Sequence, residues 1–177
     1  MFKVWTKEPL MEQTTNVRSC GEGKDRCTAC CKVYWIEEVD TKLGEWCKHC
    51  TIGQGCGVYA SRPKECADYK CLWLHGSGRE DDRPDKLKVV MDGIPVEVEG
   101  RTITLITIWE VSQGASTKKR VQEIADSCKR QGYVVCFRSL SASGKYHESY
   151  AIPKGLFTER QLEKFFAVAR EETRPLP

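Results

Sequence analysis

The stretch RTITLITIWEV, residues 101–111, sets the arrangement of the rest of the chain. It is rich in β-branched residues, and its apolar side chains fall on both faces of an extended backbone. A strand that is apolar on both faces is typical of the middle of a sheet that is covered on both sides. We therefore predict a central, buried strand here, with further strands beside it.

Strands of similar character flank this segment. LKVVMDG (87–93) and IPVEVEG (94–100) precede it, and each is predicted to be a short strand that ends in a glycine-containing turn. YVVCFRSL (133–140) and YHESYAI (146–152) follow it and are predicted to pair with each other. Upstream of all of these, GSGREDDRPD (76–85) combines turn residues with charge, which predicts a linker or exposed loop.

Two amphipathic helices complete this half of the chain. STKKRVQEIADSCKRQG (116–132) has an apolar face with helical spacing and ends at Gly132, a residue typical of a helix C-terminus. The apolar residues with this spacing are Val121, Ile124, Ala125 and Cys128. TERQLEKFFAVAREE (158–172) begins with Thr158 and Gln161, which have the spacing of a capping box.

The order of these elements predicts an α+β fold. Residues 86–177 are expected to form its α+β region, a small mixed sheet with two helices that holds most of the core. Residues 20–75 are expected to form a cysteine-rich, metal-binding region that packs on this sheet. We expect one compact unit, because a chain of 177 residues suits a single domain.

The chain has eleven cysteines, and nine of them lie between positions 20 and 71. Cys27-x2-Cys30 and Cys47-x2-Cys50 are separated by a spacing that is typical of four-cysteine metal sites. Each CxxC turn directs two sulfurs at one centre, and two such turns complete a tetrahedron around a metal ion. These four residues are therefore predicted to be metal ligands.

Four further cysteines lie nearby and would complete a second four-sulfur site: Cys31, Cys56, Cys66 and Cys71. The spacing leaves their pairing open. It also leaves open whether Cys20 or His49 takes part, although a polar loop residue is the preferred interpretation of His49. Four-sulfur sets suit both zinc and iron–sulfur clusters, and we favour zinc slightly. Cys128 and Cys136 lie in apolar segments and are predicted to be buried structural residues.

A cytoplasmic location is expected, and it favours metal over disulfides. The first residues, MFKVWTKEPLMEQTT, have no continuous apolar core and no small-residue cleavage site, which argues against a secretory signal peptide. The sequence contains no run of about 18 or more apolar residues, so it predicts no membrane-spanning helix. Thiols stay reduced in the cytoplasm, and an odd number of cysteines does not close a disulfide framework.

The segments CTACCKV, GEWCKHC, GQGCGVYASRPKEC and DYKCLWL together resemble the YkgJ-like cysteine-cluster family. Its members are zinc- or iron-chelating proteins with a CxxCxxCC signature, and one branch contains flagellin lysine methylase. The resemblance covers about residues 20 to 90. It implies that eight cysteines chelate metal: Cys27, Cys30, Cys31, Cys47, Cys50, Cys56, Cys66 and Cys71. The first cysteine of the signature falls at Lys24, and Cys20 is the candidate to replace it.

Three hypotheses for the function follow from these features. The favoured one is a metal-binding protein with a structural, sensing or storage role, whose partners are metal ions and a protein that the sequence does not identify. The second, implied by the resemblance, is an iron–sulfur-dependent protein-modifying enzyme similar to lysine methylase. The sequence has no P-loop, nucleophile elbow or HExxH motif, so whether the protein is an enzyme stays open.

The third hypothesis is a zinc-based nucleic-acid or protein interaction module. Five basic residues on one predicted helix motivate it: Lys118, Lys119, Arg120, Lys129 and Arg130. A solvated helix face explains these charges equally well, so we do not expect nucleic acid to be the partner.

Overall fold

The computed structural model describes residues 18–21 and 25–172, with residues 171 and 172 described as backbone only. Over this part of the chain the protein is a mixed α+β fold with five α-helices, one sheet of two strands and one sheet of four. The fold class predicted from the sequence is confirmed at this level. The four-stranded sheet and the two longest helices belong to the C-terminal half, as expected.

The larger sheet is built around the segment that the sequence marked as central. Its strands are β3 (Val89–Val98), β4 (Arg101–Glu110), β5 (Val134–Leu140) and β6 (Tyr146–Ala151). They lie in the order β3-β4-β5-β6, and only the β4–β5 pair is parallel. Leu105, Ile106 and Ile108 of β4 are fully buried, so the central strand is apolar on both of its faces. The predicted pairing of β5 with β6 is also confirmed.

The prediction of two short strands before β4 was wrong, because β3 runs without a break from Val89 to Val98. Gly93 pairs with Ile106 inside the ladder instead of forming a turn. Pro95 lacks an N–H group, but β3 is an edge strand, where a missing backbone donor is tolerated. The turn lies at positions 99–100, between Val98 and its partner on β4.

The helix α4 (Lys119–Arg130) covers one face of the sheet. Its predicted apolar residues are all buried: Val121, Ile124, Ala125 and Cys128. They pack with Ile106 and Ile108 of β4. The helix ends as predicted, since the Tyr133 N–H donates to the Cys128 carbonyl (3.0 Å) and Gly132 adopts φ +86°, the left-handed conformation of a helix stop.

The helix α5 (Glu159–Glu172) covers part of the opposite face, where Phe165 packs in a cluster with Val96 and Leu105. Its predicted capping box is confirmed. The Thr158 N–H donates to Gln161 Oε1 (3.1 Å), and the Gln161 N–H donates to Thr158 Oγ1 (3.3 Å). No helix in residues 18–21 and 25–172 has the length and apolar character needed to cross a membrane.

The cysteine-rich region packs beside α5 on that same face. Its regular elements are short: α1 (Cys30–Val33), β1 (Cys50–Thr51), β2 (Gly55–Cys56) and α2 (Lys64–Asp68). Ala29, Val33 and Trp73 form a buried cluster with Val90 of β3 and Trp109 of β4. This cluster joins the cysteine-rich region to the sheet.

Residues 76–85 do not form an exposed linker, and that prediction was wrong. The segment contains a 3-10 turn at Glu80–Asp82 and leads into α3 (Pro84–Leu87). Asp82 and Arg83 are buried. Each of these charges has an oppositely charged partner in the protein, which offsets the loss of hydration and permits the burial.

Candidate functional site

Backbone hydrogen bonds gather four cysteines from two separate segments. The Cys47 N–H donates to the Cys31 carbonyl (2.9 Å), and the Cys50 N–H donates to the Cys47 carbonyl (2.9 Å). Cys50 lies on β1 and is paired with Cys56 on β2. The side chains of directly paired residues lie on the same face of a hairpin. The helix α1, the second CxxC turn and the hairpin are therefore neighbours.

A second set of contacts brings Cys20, Cys27 and Cys71 together. The Cys27 N–H donates to the Cys20 carbonyl (2.6 Å). Cys71 is buried in the cluster that joins the two regions, and Cys27 packs against that same cluster. The sequence analysis left open whether Cys20 takes part in metal binding. In the structure it lies beside Cys27.

Several thiols in this region lie close enough to shift the pKa values of one another. The hydrogen bond with the Cys30 thiol, together with burial, raises the pKa of Cys31 far above its ordinary value. Cys31 also contacts Cys50, where burial and the nearby Cys31 raise the pKa to about 12. Burial and the charges of neighbouring cysteines, among them Cys47, likewise raise the pKa of Cys66. Thiols with such pKa values stay protonated at neutral pH unless a cation replaces their protons.

Cys27 lies beside a buried ion pair. Burial raises the pKa of Cys27 to about 12, and its thiol hydrogen-bonds the Asp85 carboxylate. Arg83 donates to both oxygens of Asp85 (2.6 and 2.9 Å) and to Asp25 Oδ1 (2.8 Å). The sequence analysis missed Arg83 and Asp85, because it assigned them to a linker and gave no sign of their proximity to a cysteine.

Arginines also surround Cys20. Burial and the nearby Cys31 raise the pKa of the Cys20 thiol, whereas the guanidinium groups of Arg83, Arg26 and Arg62 counteract this rise. Arg26 approaches Gly55 so closely that a Cβ there would lie 2.9 Å from the Arg26 Cδ atom. A side chain at position 55 would therefore displace Arg26 from this position. The positive charges of these arginines would stabilise the thiolate form of Cys20.

The other residues considered as ligands are placed differently. Asp68 forms an ion pair with Lys64 on the exposed side of α2. His75 is largely exposed, and the partial loss of hydration of its ring, together with the charge of Lys70, lowers its pKa. The His49 carbonyl accepts a hydrogen bond from the Gly57 N–H (2.7 Å), which helps to close the hairpin. Cys128 and Cys136 are buried in the core of the α+β region, as predicted.

Cysteine thiols are suitable ligands for a thiophilic metal, but in the structure they do not form a complete coordination shell. All eleven cysteines are free thiols. Among the described residues, no three or more His, Cys, Asp or Glu side chains form a ready-made metal-binding group. Binding would therefore require the thiol side chains to turn from their contacts with one another toward a common centre.

A polar network that the sequence did not indicate lies between this region and the sheet. The hydroxyls of Tyr34 and Tyr69 are 2.7 Å apart, and their ring centroids are 4.5 Å apart. The Tyr34 hydroxyl donates to Asp92 Oδ2 (3.5 Å), and the Gly93 N–H donates to Asp92 Oδ1 (2.8 Å). Burial raises the pKa of Asp92 to about 6 despite these two hydrogen bonds.

We expect Asp92 to make the stability of the protein depend on pH. Its pKa is higher in the folded protein than the ordinary 3.8, so the folded state binds this proton more tightly than the unfolded state. Its contribution is fully present below about pH 4, and the free energy of unfolding falls by about 2 to 3 kcal/mol as the pH rises through about 6. Urea unfolding between pH 4 and 8 measures this change.

Asp92→Asn should abolish that decline. The exposed Asp126→Asn variant is the matched control and should keep the pH profile of the unchanged protein. A full decline in Asp92→Asn would assign the pH dependence to another group.

No protein-family model matches this sequence, and the comparisons with curated proteins and with solved structures found no match. The function is therefore inferred from the residues of this chain alone.

Proposed function

We propose that this protein binds metal ions through cysteine thiolates, with zinc slightly favoured over an iron–sulfur cluster. The observation that carries the proposal is the backbone hydrogen bond from the Cys47 N–H to the Cys31 carbonyl (2.9 Å), which holds two different CxxC-containing segments side by side. The pairing of Cys50 with Cys56 across the hairpin adds two further cysteines to the same neighbourhood. Thiol sulfur is the ligand that zinc and iron–sulfur clusters share.

The residues that would hold the metal are the eight cysteines that carry the resemblance to the YkgJ-like family. They are Cys27, Cys30, Cys31, Cys47, Cys50, Cys56, Cys66 and Cys71. Bound cations would offset the repulsion between neighbouring thiolates. They would also stabilise a region whose regular elements are short, because metal binding contributes to the folding free energy of such regions. We propose a structural, sensing or storage role in the cytoplasm.

The interaction-module hypothesis is less well supported. Three basic residues of the α4 segment are engaged within the protein. Arg120 pairs with Asp82, Lys118 donates to the Leu87 carbonyl (3.1 Å), and Lys129 pairs with Asp126 (3.3 Å). Basic side chains that already pair within the protein are less able to bind phosphate groups. Contacts within the fold therefore explain these basic residues better than nucleic-acid binding does.

Serine substitutions test the proposal. Cys27→Ser, Cys47→Ser and Cys66→Ser should each lower the metal content of the purified protein and destabilise the cysteine-rich region, because each removes one thiolate donor. Elemental analysis measures the metal, and near-ultraviolet circular dichroism reports on the packing of Trp46 and Trp73 in that region. Equal metal content in all three variants and in the unchanged protein would contradict the proposal.

Cys128→Ser is the matched control. Its thiol is buried among the α4 side chains, in a different cluster from Cys27 and Cys71. The substitution is expected to leave the metal content unchanged, even if it lowers the stability of the α+β region.

A further inference from the structure

We propose that the cysteine-rich region carries a docking surface for an acidic segment of another protein. The surface comprises Arg26, Ile52, Tyr59 and Arg62, and we call it the arginine–tyrosine surface. Its partner is a peptide segment that carries carboxylates next to an apolar side chain. The inference goes beyond the proposed function, because it assigns a protein partner and does not depend on metal.

The arginine–tyrosine surface is organised around one aromatic ring. The Cζ atom of Arg62 lies 3.7 Å from the centroid of the Tyr59 ring, and that of Arg26 lies 5.4 Å from it. The Arg62 guanidinium also donates to the Tyr59 carbonyl (3.1 Å). Stacking on an aromatic ring restricts the motion of a guanidinium group. The two positive groups are therefore held close together before a partner binds, which lowers the entropic cost of binding.

The hairpin of β1 and β2 places Ile52 beside these groups. The Arg26 N–H donates to the Gly53 carbonyl (2.9 Å), so the backbone of Arg26 lies at the hairpin turn. The Arg26 side chain then passes over Gly55 and reaches the Tyr59 ring. Ile52 directly precedes Gly53 in the turn, and Arg26 therefore connects Ile52 with the aromatic ring.

The apolar part of the arginine–tyrosine surface faces solvent. Ile52 is 60% exposed and Tyr59 is 55% exposed, and these are the two large apolar residues that the described part of the chain exposes strongly. Single exposed apolar residues are common, but here both lie beside the same guanidinium groups. Tyrosine and arginine are also enriched among the residues that contribute most to protein–protein binding. This combination is typical of a protein interface.

The positive charge of this surface is not neutralised within residues 18–21 and 25–172, where no Asp or Glu forms an ion pair with Arg26 or Arg62. Asp25, the acidic residue adjacent to Arg26, pairs with Arg83 instead (2.8 Å). Two positive groups at one ring repel each other. A carboxylate bound by both would remove this repulsion and accept charge-assisted hydrogen bonds. Charge complementarity therefore favours an acidic partner.

An acidic protein segment explains this surface better than a nucleic acid does. The Arg62 guanidinium covers part of the Tyr59 ring, which leaves the ring less available for stacking on a base. Two arginines are also few for a phosphate backbone, which proteins bind through many basic side chains. The exposed Ile52 can pack against an apolar side chain but contributes nothing to phosphate binding.

Peptide binding to the full chain tests the proposal. The probe is a short fluorescently labelled peptide with the central sequence Glu-Leu-Asp-Glu, and its counterpart contains Gln-Leu-Asn-Gln, which removes the charges and keeps the shape. Fluorescence anisotropy measures both affinities. We expect saturable binding of the acidic peptide that weakens as salt is added, and at least about tenfold weaker binding of the neutral peptide. Equal affinities, or no binding of the acidic peptide, would overturn the proposal.

Variants locate the binding. Arg62→Gln should weaken the binding of the acidic peptide by about tenfold, and Arg26→Gln provides a second test at the same ring with a similar expected loss. Ile52→Ser should weaken it by a smaller factor. Lys119→Gln is the matched control, because it removes one exposed positive charge from α4, on the other face of the sheet. Its affinity should be unchanged, and losses equal to those of the arginine variants would overturn the assignment of the surface.

Two further probes separate the alternatives. Tighter binding of a single-stranded DNA oligonucleotide than of the acidic peptide would assign the surface to nucleic acid and overturn the proposal. Displacement of the peptide by equally dilute inorganic phosphate would reduce the surface to a simple anion site and would also overturn it. Metal content is measured in the same samples. Peptide binding by metal-free protein would contradict only the proposed function, whereas metal-loaded protein that does not bind the peptide would contradict only this inference.

Discussion

Phe165→Ala is expected to lower the free energy of unfolding by about 3 to 5 kcal/mol, one of the two largest effects that we predict. Phe165 is fully buried at the centre of the cluster between α5 and the sheet. Its ring lies 5.0 Å from that of Phe157 and 6.3 Å from that of Tyr150, measured between centroids. Truncation removes apolar contacts and leaves a cavity that the rigid sheet cannot close. Urea unfolding measures the loss.

Phe166→Ala is the control for this prediction. Phe166 lies next to Phe165 on α5 and is only partly buried, so its truncation leaves a smaller cavity. The loss should be clearly smaller than for Phe165→Ala. Equal losses in the two variants would mean that α5 does not pack on the sheet through Phe165.

Asp82→Ala is expected to cost about 3 kcal/mol, because it removes the buried carboxylate that binds Arg120 and leaves this partly buried arginine with only the longer ion pair to Glu123 (3.3 Å). Arg120 donates to both oxygens of Asp82 (2.8 and 2.6 Å), and the Arg79 N–H donates to Oδ2 (2.7 Å). The two hydrogen bonds from Arg120 connect the segment before α3 to α4. Burial alone would raise the pKa of Asp82, but the hydrogen bonds from Arg120 and Arg79 hold it below 3.8.

The sign of the pH dependence follows from this lowered pKa. Asp82 stabilises the folded protein above about pH 4, and its contribution is lost as the pH falls through its value in the folded state. The neighbouring Asp81 is the matched control, since its ion pair with Lys86 (3.3 Å) is exposed. Asp81→Ala should cost less than about 1 kcal/mol. Similar losses in Asp81→Ala and Asp82→Ala would contradict a special role of the buried pair.

Much of the α+β region could be predicted, because its signals are local. The apolar residues of β4 and of the two long helices form patterns that depend only on neighbouring positions in the sequence. The same is true of the capping box at Thr158. The error at β3 had a local cause as well. Gly93 and Pro95 are turn signals, and only the position of β3 at the sheet edge makes them compatible with one strand.

For the candidate site, the sequence indicates which cysteines to consider but not how they are arranged. Cysteine spacing identifies CxxC turns, yet the contact of Cys31 with Cys50 depends on how the loops pack against each other. The burial of Asp82 could not be predicted either, because its partner Arg120 is remote in the sequence and the local composition indicates an exposed turn.

The most direct test of the central claim is the metal content of the full chain, purified without oxygen and measured together with its visible absorption spectrum and acid-labile sulfide. We predict bound metal in stoichiometric amount: about two zinc ions per chain without a visible band, or iron with sulfide and a broad visible band. Zinc would make the cysteines a scaffold, whereas an iron–sulfur cluster would direct attention to the enzyme hypothesis. A reduced, folded protein that contains no metal and takes up neither zinc nor iron with sulfide would contradict the claim.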